Sequence, residues 1–244
     1  MPASHASPAA IADLAPAGKL RAAINFGNPV LATKDPATGE PGGISADLAR
    51  ELARRLGVPI EFVRYDSAGK VVQGLESAAW DVCFLAIDPL RAADISFTAA
   101  YVVIEGVYLV AEASPFRGNA DIDHPGRRVG VVVGSAYDLF LSRELKQAAI
   151  VRASGIDGVV DLWVAGKLDA VAGVKPLLEA IAKRLPGVRL LPERFMAINQ
   201  AMGTPRGRDA GARYVNQFLD EMKASGFVAQ AFARNRIEGA ATAP

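Results

Sequence analysis

The feature that most constrains this fold is an alternation of apolar runs and amphipathic segments, which occurs twice along the chain. In the first half, strand-like runs begin near Lys19, Pro59 and Trp80, and helical patterns separate them. Strands joined through helices pair in parallel, so this β-α-β-α-β order predicts a parallel sheet with helices on both faces. The segment Ser45–Gly57 shows the helical pattern, with its serine as candidate N-cap and its glycine as the stop.

A second alternation begins at Arg128, after a loop rich in Pro, Gly, Asn and Asp. Its first run, RVGVVVG, is continuously apolar, which is typical of a buried parallel strand. The apolar segments Val102–Glu112 and Arg194–Pro205 read as connections between the two halves. We therefore predict an α/β fold of two lobes. Residues 18–104 and 197–244 would form the first, residues 105–196 the second, and residues 1–17 a flexible leader.

Composition excludes several classes of protein. The 244 residues carry a formal net charge of +1, so no basic surface predicts nucleic-acid binding. With Cys83 as the single cysteine and only two histidines, neither a disulfide nor a metal centre is expected. No phosphate-binding loop or dinucleotide fingerprint is present, so we expect no cofactor. No apolar run reaches the roughly 18 residues of a membrane span. No secretory signal is visible, which leaves the periplasm and the cytoplasm open.

The order and spacing of these segments resemble the type 2 solute-binding proteins, the amino-acid-type receptors of bacterial ABC importers. The resemblance runs from Gly18 to about Asn235 and includes WDVCFLAIDPLRAADISFTAAY, GRRVGVVVGSA and AGKLDAVAG. It implies a periplasmic-binding-protein-like fold, in which two lobes joined by two crossover segments close around a small ligand. It also implies an ABC permease as partner, a monomeric state and a periplasmic location.

The resemblance assigns a carboxylate-binding role to two places. Arg91 stands where the family has an arginine that clamps the ligand's α-carboxylate, and a guanidinium suits that role because its paired donors meet a carboxylate bidentately. Gly134, Ser135 and Ala136 match a strand–Gly–Thr/Ser turn that offers N–H groups and a hydroxyl to the same carboxylate. A helix beginning there would also favour an anion.

The sequence departs from the family at two positions that matter for the ligand. Asp88 replaces a threonine, and Val174 replaces the aspartate that takes the α-ammonium. Asp88 either supplies the missing ammonium partner or orients Arg91. Alternatively, the ligand has no α-amino group and Lys175 meets a second anionic group.

An acid and an amide in the connecting segments raise a further question. Glu105 faces solvent at a sheet edge, or it holds a ligand cation or a partner on the other lobe. The same question, whether the side chain faces solvent or contacts a ligand or partner, applies to Gln200 in the second connecting segment.

The end of the first strand supplies further ligand candidates. Asn25 and Phe26 lie at its carboxyl end, where ligands of open α/β sheets bind. Phe26 is the first candidate for an apolar wall against the ligand, with Trp80 or Tyr65 as further ones.

The resemblance, together with these residues, implies a non-enzymatic binding protein that captures a small carboxylate or amino-acid-like ligand. The resemblance leaves an enzyme of the cyclohexadienyl or prephenate dehydratase type as the alternative. Such an enzyme needs an acid to protonate a leaving hydroxyl, and Asp88 and Glu105 are the candidates. A ligand-sensing domain is a third possibility.

Overall fold

The computed structural model describes residues 5–243. The helices are α1 (Pro8–Leu14), α2 (Ile44–Leu56), α3 (Ala68–Gln73), α4 (Ala136–Glu144), α5 (Ile156–Val164), α6 (Lys175–Ala182), α7 (Asp209–Ala224) and α8 (Phe227–Arg234). The strands are β1 (Leu20–Asn25), β2 (Thr33–Lys34), β3 (Pro41–Gly42), β4 (Ile60–Tyr65), β5 (Val82–Ala86), β6 (Ile95–Ala111), β7 (Arg128–Val132), β8 (Ala149–Ala153), β9 (Ala170–Val174), β10 (Val188–Leu190), β11 (Met196–Pro205) and β12 (Ala240–Thr242).

The chain divides into two compact units. The first comprises the residues up to Val103, Asn199–Ile237 and the residues from Ala241 onwards, and the second comprises Ile104–Ile198 and Glu238–Ala240. The chain therefore passes from one unit to the other within β6 and returns within β11. It also enters the second unit briefly again at Glu238–Ala240, where β12 begins.

In the first unit, β1 lies between β4 and β5 and pairs in parallel with both. β11 is antiparallel to β5. The carboxyl ends of β4, β1 and β5 therefore meet at the same edge, which is where ligands of open α/β sheets bind.

Helices cover both faces of this sheet because alternate strand residues point to opposite sides. Ala23, Cys83 and Leu85 pack with Val71 of α3 in one buried cluster. On the other side, the ring of Phe84 packs edge-on against Tyr101. The Tyr101 hydroxyl lies 3.3 Å from the Ser45 hydroxyl in α2.

The second unit repeats this arrangement. β7 pairs in parallel with β8 and β9, and β6 runs antiparallel to β9. Val159 of α5 and Leu178 of α6 are fully buried in the core of this unit, together with Leu109 and Val171 from its strands. The prediction of a two-unit α/β fold is confirmed. In addition, the connecting strands β11 and β6 run antiparallel to β5 and β9, respectively.

The prediction of a flexible leader over residues 1–17 is wrong for Pro8–Leu14, which form α1. Ser7 caps this helix by accepting the Ala10 N–H, and Leu14 is fully buried. The Asp13 carboxylate accepts the Gly211 N–H at 2.9 Å, which joins α1 to α7. Residues 1–4 of the predicted leader lie outside the described residues.

One local prediction also needs correction. Ser45 is not the N-cap of α2, because the helix begins at Ile44 with Gly43 as its cap. The predicted helix end at Gly57 is confirmed.

Within residues 5–243, no helix has both the length and the apolar composition needed to cross a membrane.

Candidate functional site

Arg91 is a buried cation at the carboxyl end of β5. All five residues of that strand are buried, and Arg91 begins the short 3₁₀ turn that follows it. The residue is only 3% exposed, and its Nη1 donates to the Ala86 carbonyl at 2.9 Å. Burial lowers the pKa of Arg91 to about 10, and the neighbouring charge of Asp88 opposes that shift. Because little water surrounds the guanidinium, its attraction for an anion is stronger than it would be at an exposed surface.

Asp88 shapes the turn that holds Arg91. It is 4% exposed, and its Oδ1 accepts the Leu90 N–H at 2.9 Å. Its carbonyl accepts the Ala92 N–H, also at 2.9 Å. Together with its electrostatic effect on Arg91, these contacts favour the interpretation that Asp88 orients and compensates the arginine.

β1 is a neighbour of β5 in the sheet, so its carboxyl end lies at the same edge as the turn that holds Arg91. Asn25 and Phe26 are half-buried, and the Asn25 Oδ1 accepts the Gly27 N–H at 2.9 Å. The Phe26 N–H donates to the Tyr65 carbonyl, so the chains leaving β1 and β4 stay together. Direct contact of Asn25 or Phe26 with a ligand stays a prediction.

Trp80 belongs to the apolar core rather than to a ligand wall. It is 1% exposed and packs beside Val71 and Leu85. Its indole N–H donates to the Val71 carbonyl at 2.8 Å. The interpretation of Trp80 as an apolar wall against the ligand is therefore wrong.

Gln200 lies next to the carboxyl end of β5. It is 4% exposed and pairs with Ala86 across the β5–β11 ladder. A buried amide beside the carbonyl that accepts from Arg91 gives this edge of the sheet a second polar side chain.

In the second unit, the chain turns sharply between β7 and α4. Gly134 has a positive φ of 69°, a conformation that residues with a side chain rarely adopt. Ser135 is the N-cap of α4, and its Oγ accepts the Asp138 N–H at 3.0 Å. Ala136 is the first residue of the helix. The turn thus has the helix-start geometry that the sequence predicted, whereas its contact with a ligand stays a prediction.

Asp138 is the residue at this turn that the sequence analysis missed. It is 3% exposed, and its Oδ2 accepts the Gly134 N–H at 2.8 Å. Its Oδ1 accepts from Arg152 Nε at 2.9 Å. The spacing of Ser135 and Asp138, a hydroxyl followed three residues later by an acid, is the signal that would have found it.

Glu105 and Lys175 form an ion pair in the second unit. The Lys175 Nζ lies 2.9 Å from Glu105 Oε2, and Arg194 Nη1 lies 3.7 Å from Oε1. The hydrogen bond to Glu105 raises the pKa of Lys175. The sequence singled out Glu105 and Lys175 separately but predicted neither their pairing nor Arg194. Val174, immediately before the lysine, is 6% exposed at the end of β9.

The described part of the chain contains no group of three or more His, Cys, Asp or Glu side chains that could hold a metal ion. Cys83 is completely buried in β5, and burial raises the pKa of its thiol, so it is a core residue rather than a nucleophile.

Two α/β units are linked by the long strands β6 and β11, and polar residues follow several of the strand ends. The model of the bacterial extracellular solute-binding proteins, family 3, matches residues 20–235. The chain belongs to this family.

Individual relatives agree with that assignment. The histidine-binding periplasmic protein of Escherichia coli K12 is 26% identical over 200 residues, which cover 77% of this chain and 76% of the relative.

Solved structures share the fold. A mutant of ArgBP from T. maritima superposes with a TM-score of 0.79 at 23% identity, covering 94% of this chain and 100% of that chain. The ancestral amino acid-binding protein AncCDT-1, a precursor of cyclohexadienyl dehydratase, gives 0.76 at 23% identity, covering 92% and 97%.

Proposed function

We propose that this chain is the solute-binding protein of an ABC importer and captures a small carboxylate or amino-acid-like ligand. The observation that carries the proposal is Arg91, a nearly fully buried cation at the carboxyl end of a central parallel strand. That edge is where open α/β sheets bind ligands, and a guanidinium is suited to a carboxylate.

The other residues of the predicted site have supporting roles in this proposal. Asp88 orients Arg91, and Phe26 and Asn25 border the ligand from the end of β1. In the second unit, the α4 start at Ser135 offers the positive end of a helix to an anion. Glu105 holds Lys175 in place.

The biological setting is part of the same proposal. We propose that the protein works as a monomer in the periplasm, closes when the ligand binds, and in that form is recognised by a permease. Family membership and the periplasmic name of the E. coli relative support this setting.

The proposed function is tested by isothermal titration calorimetry against a panel of amino acids and their des-amino carboxylates, with matched uncharged amides as controls. We expect at least one carboxylate to bind with a dissociation constant in the micromolar range or below, and its amide to bind at least tenfold more weakly. Failure of every carboxylate to bind would contradict the proposal.

An enzymatic role is the competing function, because AncCDT-1 is described as a precursor of cyclohexadienyl dehydratase. Such chemistry needs an acid free to protonate a leaving hydroxyl. The contacts of Asp88 with the turn and of Glu105 with Lys175 favour binding without catalysis. Incubation with prephenate and with arogenate, followed by chromatography, should give no product beyond the buffer control.

A further inference from the structure

We infer that Asn28 is a further ligand-binding residue, whose side-chain oxygen accepts a hydrogen bond from the ammonium group of an amino-acid ligand. This inference rests on the proposed function and deepens it, because it names the group that the site recognises besides the carboxylate. All the residues that carry it belong to the first unit.

Asn28 lies at the same edge of the sheet as Arg91. It follows the last residue of β1 in the chain, and β1 pairs in parallel with β5, the strand that precedes Arg91. Main-chain hydrogen bonds hold the turn after β1, because the Asn28 carbonyl accepts the Leu31 N–H at 3.0 Å and the Ala32 N–H at 3.1 Å. Asn28 therefore has a fixed place at the edge that carries the proposed carboxylate anchor.

The side chain of Asn28 is buried, and its oxygen has no donor. The residue is 8% exposed, although Gly27 and Pro29 on either side of it are exposed. Its Oδ1 accepts no hydrogen bond from any of the residues that the structure describes. Buried polar atoms almost always have a partner, because a buried atom without one costs free energy. The oxygen is therefore available to a donor from outside the chain.

An ammonium group is well suited to this oxygen. It carries three N–H donors and a positive charge, so its hydrogen bond to an amide oxygen is stronger than that of a neutral donor. In an amino acid the ammonium is one carbon away from the carboxylate, so a carboxylate held by Arg91 brings the ammonium to the same edge. An amide oxygen also adds no negative charge that would compete with the ligand for Arg91.

Three acids of the first unit follow the same strand ends. Asp66 is exposed and pairs with a lysine at 2.8 Å, and Asp94 is exposed at the end of the 3₁₀ turn. Water weakens the attraction of such exposed carboxylates for a cation. Asp88 is buried, and it accepts a main-chain N–H of its own turn. None of the three is a buried acceptor without a partner, whereas the oxygen of Asn28 is.

The test is calorimetric titration of wild type and Asn28→Leu. The probes are L-leucine, L-phenylalanine, L-glutamine and L-histidine, each paired with the carboxylic acid that lacks its amino group. We expect wild type to bind at least one amino acid about tenfold more tightly than its des-amino partner. Asn28→Leu keeps the approximate size of the side chain and removes the acceptor. It should bind that amino acid about tenfold more weakly and its des-amino partner as wild type does.

Asn119→Leu is the matched control, because the Oδ1 of Asn119 in the second unit is also buried and accepts no hydrogen bond from the described residues. It should bind both probes with wild-type affinity. Neither variant should lower the melting temperature, since neither removes a hydrogen bond of the side-chain oxygen. A loss of affinity without a loss of stability distinguishes a ligand contact from a structural role.

Asn28→Asp is a second variant of the same residue. It keeps an acceptor oxygen and should therefore keep the preference for the amino acid over its des-amino partner. If Asn28→Asp loses this preference, or if Asn28→Leu retains it, the inference is overturned.

The remaining outcomes separate this inference from the proposed function. A des-amino acid, or a 2-hydroxy acid with the same side chain, that binds wild type as tightly as the amino acid overturns the inference and leaves the proposed function standing. If no member of the panel binds, both are overturned.

Discussion

Asp81, immediately before β5, shows at the scale of a residue how the first unit holds its ends together. None of its surface is exposed, and it pairs with Arg21 at 2.8 Å and with Arg208 at 2.6 Å. Arg208 also donates to the Asp13 carbonyl in α1. The Asp81 carboxylate thus connects β1 and β5 with the start of α7, and Arg208 extends this connection to α1.

We predict that Asp81→Ala lowers the free energy of unfolding by about 3 kcal/mol, because it leaves two partly buried arginines without their common partner. Urea denaturation measures this loss. The control is Asp66→Ala, which removes an exposed ion pair with Lys70 and should change stability little. If both variants lose the same free energy of unfolding, the buried ion pairs of Asp81 contribute no more to stability than the exposed pair of Asp66.

Arg91 illustrates what a sequence can and cannot specify about a single residue. Its place after a buried strand was predictable, because an apolar run followed by a proline and a charge is a local signal. Its near-complete burial depends on the packing of the whole unit. The pairing of Glu105 with Lys175 was likewise unpredictable, because the two residues are 70 positions apart and meet only through the β6–β9 ladder.

At the scale of secondary structure, the start of α2 shows a tertiary effect overriding a local preference. Ser45 has the chemistry of an N-cap, but the helix starts before it at Ile44. Gly43 has φ of 90°, and a Cβ at that position would lie 2.5 Å from the Leu31 carbonyl oxygen. The close approach of the Leu31 segment therefore sets the start of the helix, and Ser45 is left buried beside Tyr101.

α1 is one of the elements that the sequence did not reveal, because a seven-residue helix in an alanine- and proline-rich segment is marginal without tertiary contacts. We predict that Leu14→Ala lowers the free energy of unfolding by about 3 kcal/mol, as expected for a fully buried leucine. Ala12→Ser, at an exposed position of the same helix, is the control. If thermal and urea unfolding of Leu14→Ala match the wild type, the packing of α1 on α7 does not contribute to stability.

At the scale of the whole molecule, the fold was predictable because the β-α alternation is repeated and each strand is short and apolar. The length of β6, in contrast, was not predictable from the sequence. The connection predicted at Val102–Glu112 is part of a strand that begins at Ile95 and pairs with β9 and β10. Pairings between distant strands leave no local pattern, and the same holds for β12, which pairs with β6 near the end of the chain.

The central claim is that Arg91 anchors the carboxylate of a transported solute. The most direct measurement is calorimetric titration of wild type, Arg91→Lys and the control Arg54→Lys with the tightest-binding carboxylate of the panel. Arg54 is an exposed arginine paired with Glu51 on α2.

The account predicts that Arg91→Lys binds at least about a hundredfold more weakly, because lysine keeps the charge but loses the planar pair of donors. Arg54→Lys should match the wild type. Wild-type affinity in a folded Arg91→Lys protein would contradict the assignment of Arg91 as the carboxylate anchor.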